Sequence, residues 1–269
     1  MKRSNKTHIT VGRNKIPLEI PKPSNHQSFF SFALHKSGSV LLNQILTEVC
    51  KKTDIPAIDI PQLIFNNGQL FKNLDKNFDS LLREKGYAYL GFRSFLPYES
   101  SFNFKNVKSI YLIRDPRDML VSMYFSIKSS HSLPGKGVGR TSLLNQRNIA
   151  KETLIDDFVL TRSNFYLQNF SILDKKLPKD STKIYRYEDF IFNKDKWIID
   201  ILNFLSLKME VNDINSIVEK VNIIPKTEQQ DNHIRKVTPG DHKIKLRTDT
   251  INKLNNIFKP ILIKYGYSL

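Results

Sequence analysis

The sequence predicts an α/β fold, a mainly parallel sheet with helices on both faces. Three observations predict it. Apolar runs of strand length alternate with longer segments of helical period, as in successive βαβ units. The runs are short and rich in aromatic or β-branched residues, as strands buried on both faces are. Residues suited to chemistry stand directly after four of them, at the strand ends where open α/β sheets hold ligands.

Residues 1–27 are polar and basic, and Pro21 and Pro23 break regular structure, so they read as an arm ahead of the core. The run SFFSFAL at 28–34 reads as a buried strand. Leu41, Leu42, Ile45, Leu46 and Val49 recur at helical spacing over 38–51. Strands follow at 87–92 and 108–114, then a helix over 118–128 and a glycine-rich loop over 132–140. A helix over 153–173, a strand over 183–187 and helices over 195–205 and 211–221 come next. Residues 222–247 are polar without a clear period, and a helix over 248–265 closes the chain. No internal repeat is visible, and 28–269 reads as a single domain.

A chain of 269 residues can bury a sizeable core, and 40% hydrophobic with 11% aromatic residues excludes a disordered or collagen-like protein. Lys and Arg number 42 against 26 Asp and Glu, a formal charge of +16, which calls for an anionic partner. These cations are scattered, with no block of five like charges, and point to no nucleic-acid partner. A lone cysteine, Cys50, excludes a disulfide framework or a multi-cysteine metal site and suits a reducing, cytoplasmic location. The apolar runs at 29–34, 110–113 and 197–205 fall well short of the ~18 residues that span a bilayer, so no membrane insertion is expected. The basic N-terminus lacks the apolar segment of a secretory signal.

His35, Lys36, Ser37, Gly38 and Ser39 follow the first buried run. A strand, a small glycine-containing loop and a helix leave backbone N–H groups pointing at one spot, which favours a phosphate. Lys36 adds a full charge there, and the hydroxyls of Ser37 and Ser39 add donors. A plain helix cap beside a solvated lysine fits the same five residues. The loop is not a Walker A motif, because Lys36 precedes the only glycine, and a nucleoside triphosphate with Mg²⁺ is thereby disfavoured.

Arg114-Asp115-Pro116-Arg117-Asp118 follows the strand at 108–114, with Ser122 inside the next helix. Pro116 suits the first helical turn, and the acidic residues suit its positive end. Arg114 projects toward the same crevice as the first loop, where a guanidinium grips a second phosphate with two donors and Ser122 adds a hydroxyl. An Arg114–Asp118 ion pair is the structural alternative. Arg186-Tyr187-Glu188-Asp189 follows the fourth strand and also reads as a capping turn. His233 to Asp241 carries the basic pair Arg235 and Lys236 and a Pro239-Gly240 turn; a solvated loop and a loop that folds over a ligand share that pattern.

In this order, over residues 28–243, the four pieces resemble the sulfotransferases that use 3′-phosphoadenosine 5′-phosphosulfate (PAPS), of the cytosolic and single-domain bacterial type. Lys36-Ser37-Gly38-Ser39 is similar to the family's Pro-Lys-Ser-Gly-Thr-Thr-Trp loop for the 5′-phosphosulfate. Tyr111 to Tyr124, with eight residues from Arg114 to Ser122, is similar to its 3′-phosphate motif. Arg186-Tyr187-Glu188-Asp189 matches its Tyr-Glu-Asp, and His233 to Lys243 resembles its late Arg-Lys-Gly…Gly-Asp segment. The resemblance implies a P-loop NTPase-like fold and sulfuryl transfer from PAPS, leaving PAP, with no metal required. It implies that Lys36, Ser37, Gly38, Ser39 and Val40 hold the 5′-phosphosulfate. Arg114, Ser122, Arg235 and Lys236 would hold the 3′-phosphate, and Tyr187 would meet the adenine end.

In-line sulfuryl transfer needs placement, charge stabilisation at the leaving oxygen and a base for the acceptor. Lys36 is the candidate for neutralising the leaving oxygen. The family's base is the histidine of a Lys-Thr-His-Leu-Pro segment, but the corresponding stretch here is Phe92 to Pro97, with Phe95 at the histidine's place. His131 is the first replacement expected and Glu99 the second; His35, where the family has proline, is a third. Leu41 replaces the tryptophan expected on adenine, and Val237 replaces a glycine. The acceptor, a small molecule, glycan or lipid with a hydroxyl or amine, would be set by 92–104, the loop 132–148 and the segment 222–247. Phe95, Tyr98, Phe102 and Phe104 are either a pocket lining or ordinary core. Two alternatives stand beside this reading: a catalytically silent relative that binds polyanions or nucleic acid, and a P-loop kinase.

Overall fold

The computed structural model describes residues 5–223 and 236–269. Residues 5–20 form an antiparallel hairpin, β1 (Asn5–Val11) and β2 (Asn14–Ile20), turning at Gly12. The arm expected over 1–27 is thus corrected. Ile9 and Val11 alternate with polar residues, and with Ile16 they are buried against the main core. The apolar alternation outweighs the polar content, and Pro21 and Pro23 come after the hairpin rather than in it.

The central sheet is built from β3 (Phe29–Ala33), β4 (Ala57–Ile58), β5 (Ala88–Phe92), β6 (Lys108–Ile113) and β7 (Thr182–Arg186). Its order is β4-β5-β3-β6-β7, and every pairing in it is parallel. The chain starts this sheet in the middle, goes to the edge strand β4, returns through β5 beside β3, then crosses to β6 and β7. That reversal beside β3 opens a crevice at the strand carboxyl ends. The predicted P-loop NTPase-like α/β class holds.

The helices are α1 (Ser39–Lys52), α2 (Ile60–Asn66), α3 (Pro116–Phe125), α4 (Val138–Glu152), α5 (Ile155–Lys176), α6 (Tyr187–Phe190), α7 (Lys194–Leu205), α8 (Val211–Val221), α9 (His242–Lys245) and α10 (Thr248–Lys264). They cover both faces. Phe30 and Phe32 of β3 point into one core with Tyr89, Phe92 and Phe104. Phe29 and Ala33 point into the other, against Leu42, Ile45, Leu46 and Val49 of α1.

Two further expectations are corrected here. The glycine-rich loop ends at Gly137, because Val138 opens α4, whose Leu143 and Ala150 lie about two turns apart on one face and are buried. The polar stretch 222–247 contains the helical turn of α9. No helix among the described residues is long and apolar enough to cross a membrane.

Candidate active site

A cavity of about 660 Å³ lies over the carboxyl ends of the central strands. Along the sheet the residues facing it are Asp59 after β4, Arg93 after β5, His35 and Lys36 after β3, Arg114 after β6 and Tyr187 after β7. All five strands therefore contribute, in the order in which they pair.

The loop between β3 and α1 is held in an unusual backbone shape. Lys36 has φ 68° and Gly38 φ 97°, both in the left-handed region. A Cβ on Gly38 would come within 2.7 Å of Tyr187 Cδ2, so only glycine lets the loop rest on that ring. Tyr166 donates to the His35 carbonyl at 3.0 Å, and Arg114 Nη1 donates to the Lys36 carbonyl at 3.4 Å. Lys36, Gly38, Ser39 and Val40 line the cavity at the start of α1. Ser37 does not. It is buried, and its N–H and Oγ both donate to the Leu34 carbonyl, at 3.1 and 2.8 Å, so its hydroxyl closes the loop instead of facing a ligand.

Arg114 pairs with Asp118 and also lines the cavity. Its Nη2 lies 3.7 Å from Asp118 Oδ2, and its guanidinium also faces the cavity over the Tyr187 ring at 4.6 Å. Among the described residues its buried Nε has no hydrogen-bond partner. Asp118 is fully buried and accepts from Gly240 N, His242 N and His242 Nδ1, at 2.7, 3.0 and 2.6 Å. Burial works against its charge, but the His242 ring and Arg114 hold its carboxyl well below the usual range. It thereby pins the late segment to α3 and brings Lys236 into the cavity wall, where Lys236 Nζ meets Asp241 at 3.1 Å. Ser122 lines the same wall, and Arg235 lies outside the described residues.

Tyr187 donates its hydroxyl to the Val237 carbonyl at 2.9 Å, and burial pushes its phenol up to about 12, so it stays neutral. Beside it Ile191, Val221, Ile223 and Val237 form an apolar recess, with Leu41 also in the lining. Lys194 stands in that recess with its ammonium buried, donating to Ile191 O at 2.7 Å and Asn222 Oδ1 at 3.0 Å; burial lowers its pKa.

At the opposite end, α2 and the turn after it supply Ile64, Phe65, Leu70 and Phe71 to the wall, facing Phe125 and His131. These walls lie outside the three segments expected to set the acceptor, of which 222–247 supplies Ile223, Lys236 and Val237. Arg93 and Ser94 alone come from 92–104, and Ser132 alone from 132–148. Phe95 and Phe104 pack on Phe32 in the core, with ring centroids 5.8 and 6.5 Å from it. His131 does line the cavity, its Nδ1 3.3 Å from Ser126 Oγ and its ring edge-on to Phe65. His35 lines it too, but burial and the charges of Arg93, His131 and Lys36 push its pKa down to about 3.

Glu99 is not brought to the site. Its side chain is 86% exposed and bound by Lys176 at 2.5 Å, outside the cavity wall. Conversely, Asp59, Arg93 and Lys194 are cavity residues that motif reasoning missed. Arg93 was readable as the cation directly after a strand. Asp59 follows a strand of two residues, too short to register, although Asp59-Ile60-Pro61 is a helix start signal.

The cavity offers fixed positive charge to an anionic ligand. Five cations, Lys36, Arg93, Arg114, Lys194 and Lys236, and a helix start line it, with an apolar recess beside them; Arg93 Nη1 and Arg114 Nε have no hydrogen-bond partner among the described residues. Among the described residues no group of three or more His, Cys, Asp or Glu side chains is placed to hold a metal ion. The model of the Sulfotransferase domain family matches residues 27–266. No curated protein matches the chain by sequence. The fold is similar to mouse sulfotransferase SULT7A1 complexed with PAP, at 15% identity and TM-score 0.55 over 89% of this chain and 85% of that one. It is also similar to retinol dehydratase with androsterone and inactive cofactor PAP, at 14% identity and TM-score 0.52 over 96% and 90%. The same enzyme with retinol and PAP gives 16% identity and TM-score 0.51 over 89% and 82%.

Proposed function

The chain belongs to the sulfotransferase domain family, and we propose that it moves a sulfuryl group from PAPS to the hydroxyl of a small, largely apolar acceptor. One observation carries this reading: Lys36, Arg114 and Lys236, distant in sequence, face one cavity, and the buried Nε of Arg114 lacks a partner among the described residues. PAPS supplies the activated sulfuryl group when bound. The chain's own residues do the rest. The N–H groups at the start of α1, with Ser39 and Lys36, hold the 5′ end, and Lys36 offsets charge gathering on the leaving oxygen. Arg114, Ser122 and Lys236 hold the 3′-phosphate, with Arg235 added from the sequence motif. Tyr187 and the recess from Ile191 to Val237 take the base, in place of the tryptophan that Leu41 replaces. Ile64, Phe65, Leu70 and Phe71 shape the acceptor end and exclude water from the reacting centre.

A screen with labelled PAPS against phenols, alkyl alcohols, amines, glycans and lipids, with Arg114→Ala as the control, tests the reading. Transfer to a phenol or apolar alcohol that disappears in the variant supports it. Absence of transfer to every class, or equal transfer by the variant, contradicts it.

A further inference from the structure

The proton of the acceptor needs a destination, and position 95 cannot supply one, because Phe95 is buried in the core. Beyond Lys36, on the side away from Arg114 and Tyr187, three cavity residues carry an atom that can accept a proton: His35, His131 and Asp59. The order β4-β5-β3-β6-β7 separates them by role. The nucleotide anchors stand at the ends of β3, β6 and β7, whereas Asp59 stands two strands from β3 in the other direction, roughly 10 Å at the usual strand spacing. In-line displacement requires the attacking oxygen, and hence its base, to lie opposite the leaving oxygen. In strand order Asp59 lies on the far side of Lys36 from Arg114, the side left for the acceptor.

The carboxylate is also fixed. Asp59 Oδ1 accepts from Gln62 N at 2.8 Å, and Oδ2 accepts from Asn43 Nδ2 at 3.0 Å. A Cβ on Gly91 would fall 2.3 Å from Oδ1 and 2.5 Å from Oδ2, so glycine at the end of β5 leaves the space this carboxylate fills. Arg93 is the charged group acting on it, from the end of β5; Asn43 on α1 and the Gln62 N–H on α2 face it as neutral donors. Burial raises the Asp59 pKa, against the pull of the Gln62 N–H and Arg93, which moves a carboxylate toward the range of an effective base. His35 is held too acidic to take a proton. His131 stands on the turn after α3 rather than on a strand end, with Nδ1 at Ser126 and its carbonyl receiving Arg147 at 2.6 Å.

We propose that Asp59 is the general base of sulfuryl transfer, an inference that rests on the function proposed above. The acceptor O–H proton passes to a carboxylate oxygen of Asp59 while the acceptor oxygen bonds to sulfur. The bond from sulfur to the bridging oxygen of PAPS breaks, and its electron pair stays on the 5′-phosphate beside Lys36. The buried Nη1 of Arg93, without a partner among the described residues, faces the same space and offers a donor to the sulfuryl oxygens in transit.

The test compares wild type, Asp59→Asn, Asp59→Glu and His131→Gln. It uses the acceptor found in the screen, PAP calorimetry and a ¹³C titration of labelled aspartate carboxyls. Asp59→Asn is expected to lower kcat by ~10²–10⁴ and to leave PAP affinity unchanged, with partial recovery in Asp59→Glu. The acidic limb of the kcat/KM profile should lie above the ordinary carboxylate range and vanish in Asp59→Asn, together with one high-titrating carboxyl signal. Near-wild-type turnover in Asp59→Asn, a loss carried by His131→Gln instead, or an Asp59 carboxyl titrating in the ordinary range overturns the assignment. If Asp59→Asn loses PAP binding through misfolding, Asp59→Glu and the wild-type titration decide. Absence of PAP heat in the wild type would defeat the proposed function and is read separately.

Discussion

Arg114 stacks its guanidinium on the ring of Tyr187, with Cζ 4.6 Å from the centroid. Neighbouring strands set this up, because β6 and β7 pair in register up to Ile113 and Arg186, so the next residue of each reaches the same cavity wall. The ring fixes the guanidinium while its buried Nε stays open to a ligand. A hydrogen bond to a charged group contributes about 1.5–3 kcal/mol, so Arg114→Ala should weaken PAP binding by roughly 10- to 100-fold in calorimetry. Arg114→Lys should recover only part, since an ammonium neither forks nor stacks. Unchanged affinity in Arg114→Ala would contradict this role.

Gly38 is the joint between the loop and Tyr187. Gly38→Ala forces a side chain into φ 97° and into a ring 2.7 Å away, two penalties of about 1–3 kcal/mol each. A melting temperature lowered by several degrees, together with loss of PAP heat, is the expected outcome. An alanine variant that melts and binds like wild type would mean the loop is shaped otherwise.

Asp118 ties the late segment to the site. Asp118→Asn places an amide NH2 against either the Gly240 N–H or the two His242 nitrogens and leaves the buried Arg114 charge less balanced, a cost of about 3–5 kcal/mol for a broken buried pair. Reduced stability in denaturant titration and weaker PAP binding are expected together. Stability loss with intact PAP affinity would separate the late segment from the nucleotide site.

His35 supplies a pH signature. Its pKa of about 3 lies below the ordinary value of 6.5, so the unfolded chain binds this proton more readily than the folded one. Stability from this residue is complete above pH 6.5 and is lost as pH falls toward 3. The slope approaches ~1.4 kcal/mol per pH unit for a single proton. Denaturant midpoints between pH 6.5 and 5 should fall for wild type and stay flatter for His35→Gln. Parallel curves would show that His35 is not held neutral.

The sheet was legible because its central strands are buried on both faces, and runs such as Phe29 to Ala33 and Ile110 to Ile113 carry that burial in their composition. Two cavity residues were legible for the same reason: Lys36 and Arg114 sit where such strands end. What stayed hidden depends on contacts across the chain. Ile9, Val11 and Ile16 form a buried hairpin face only once residues 71–81 lie against it. Asp59 gains its place from a two-residue strand beside β5, and Lys194 from Ile191 and Asn222. Glu99 lies close in sequence to the place of the missing histidine, yet Lys176, 77 residues away, holds it at the surface. Glu99→Ala should accordingly leave turnover and melting unchanged.

The central claim is that cations from three distant stretches converge on a doubly phosphorylated adenosine. Calorimetric titration with PAP, 5′-AMP, ATP and a short oligonucleotide tests it most directly. The account predicts tight PAP binding that weakens sharply when the 3′-phosphate is absent, weak ATP binding, and only a shallow salt dependence for PAP. Equal affinity for PAP and 5′-AMP, no heat with PAP, or tighter oligonucleotide binding with a steep salt slope would contradict it.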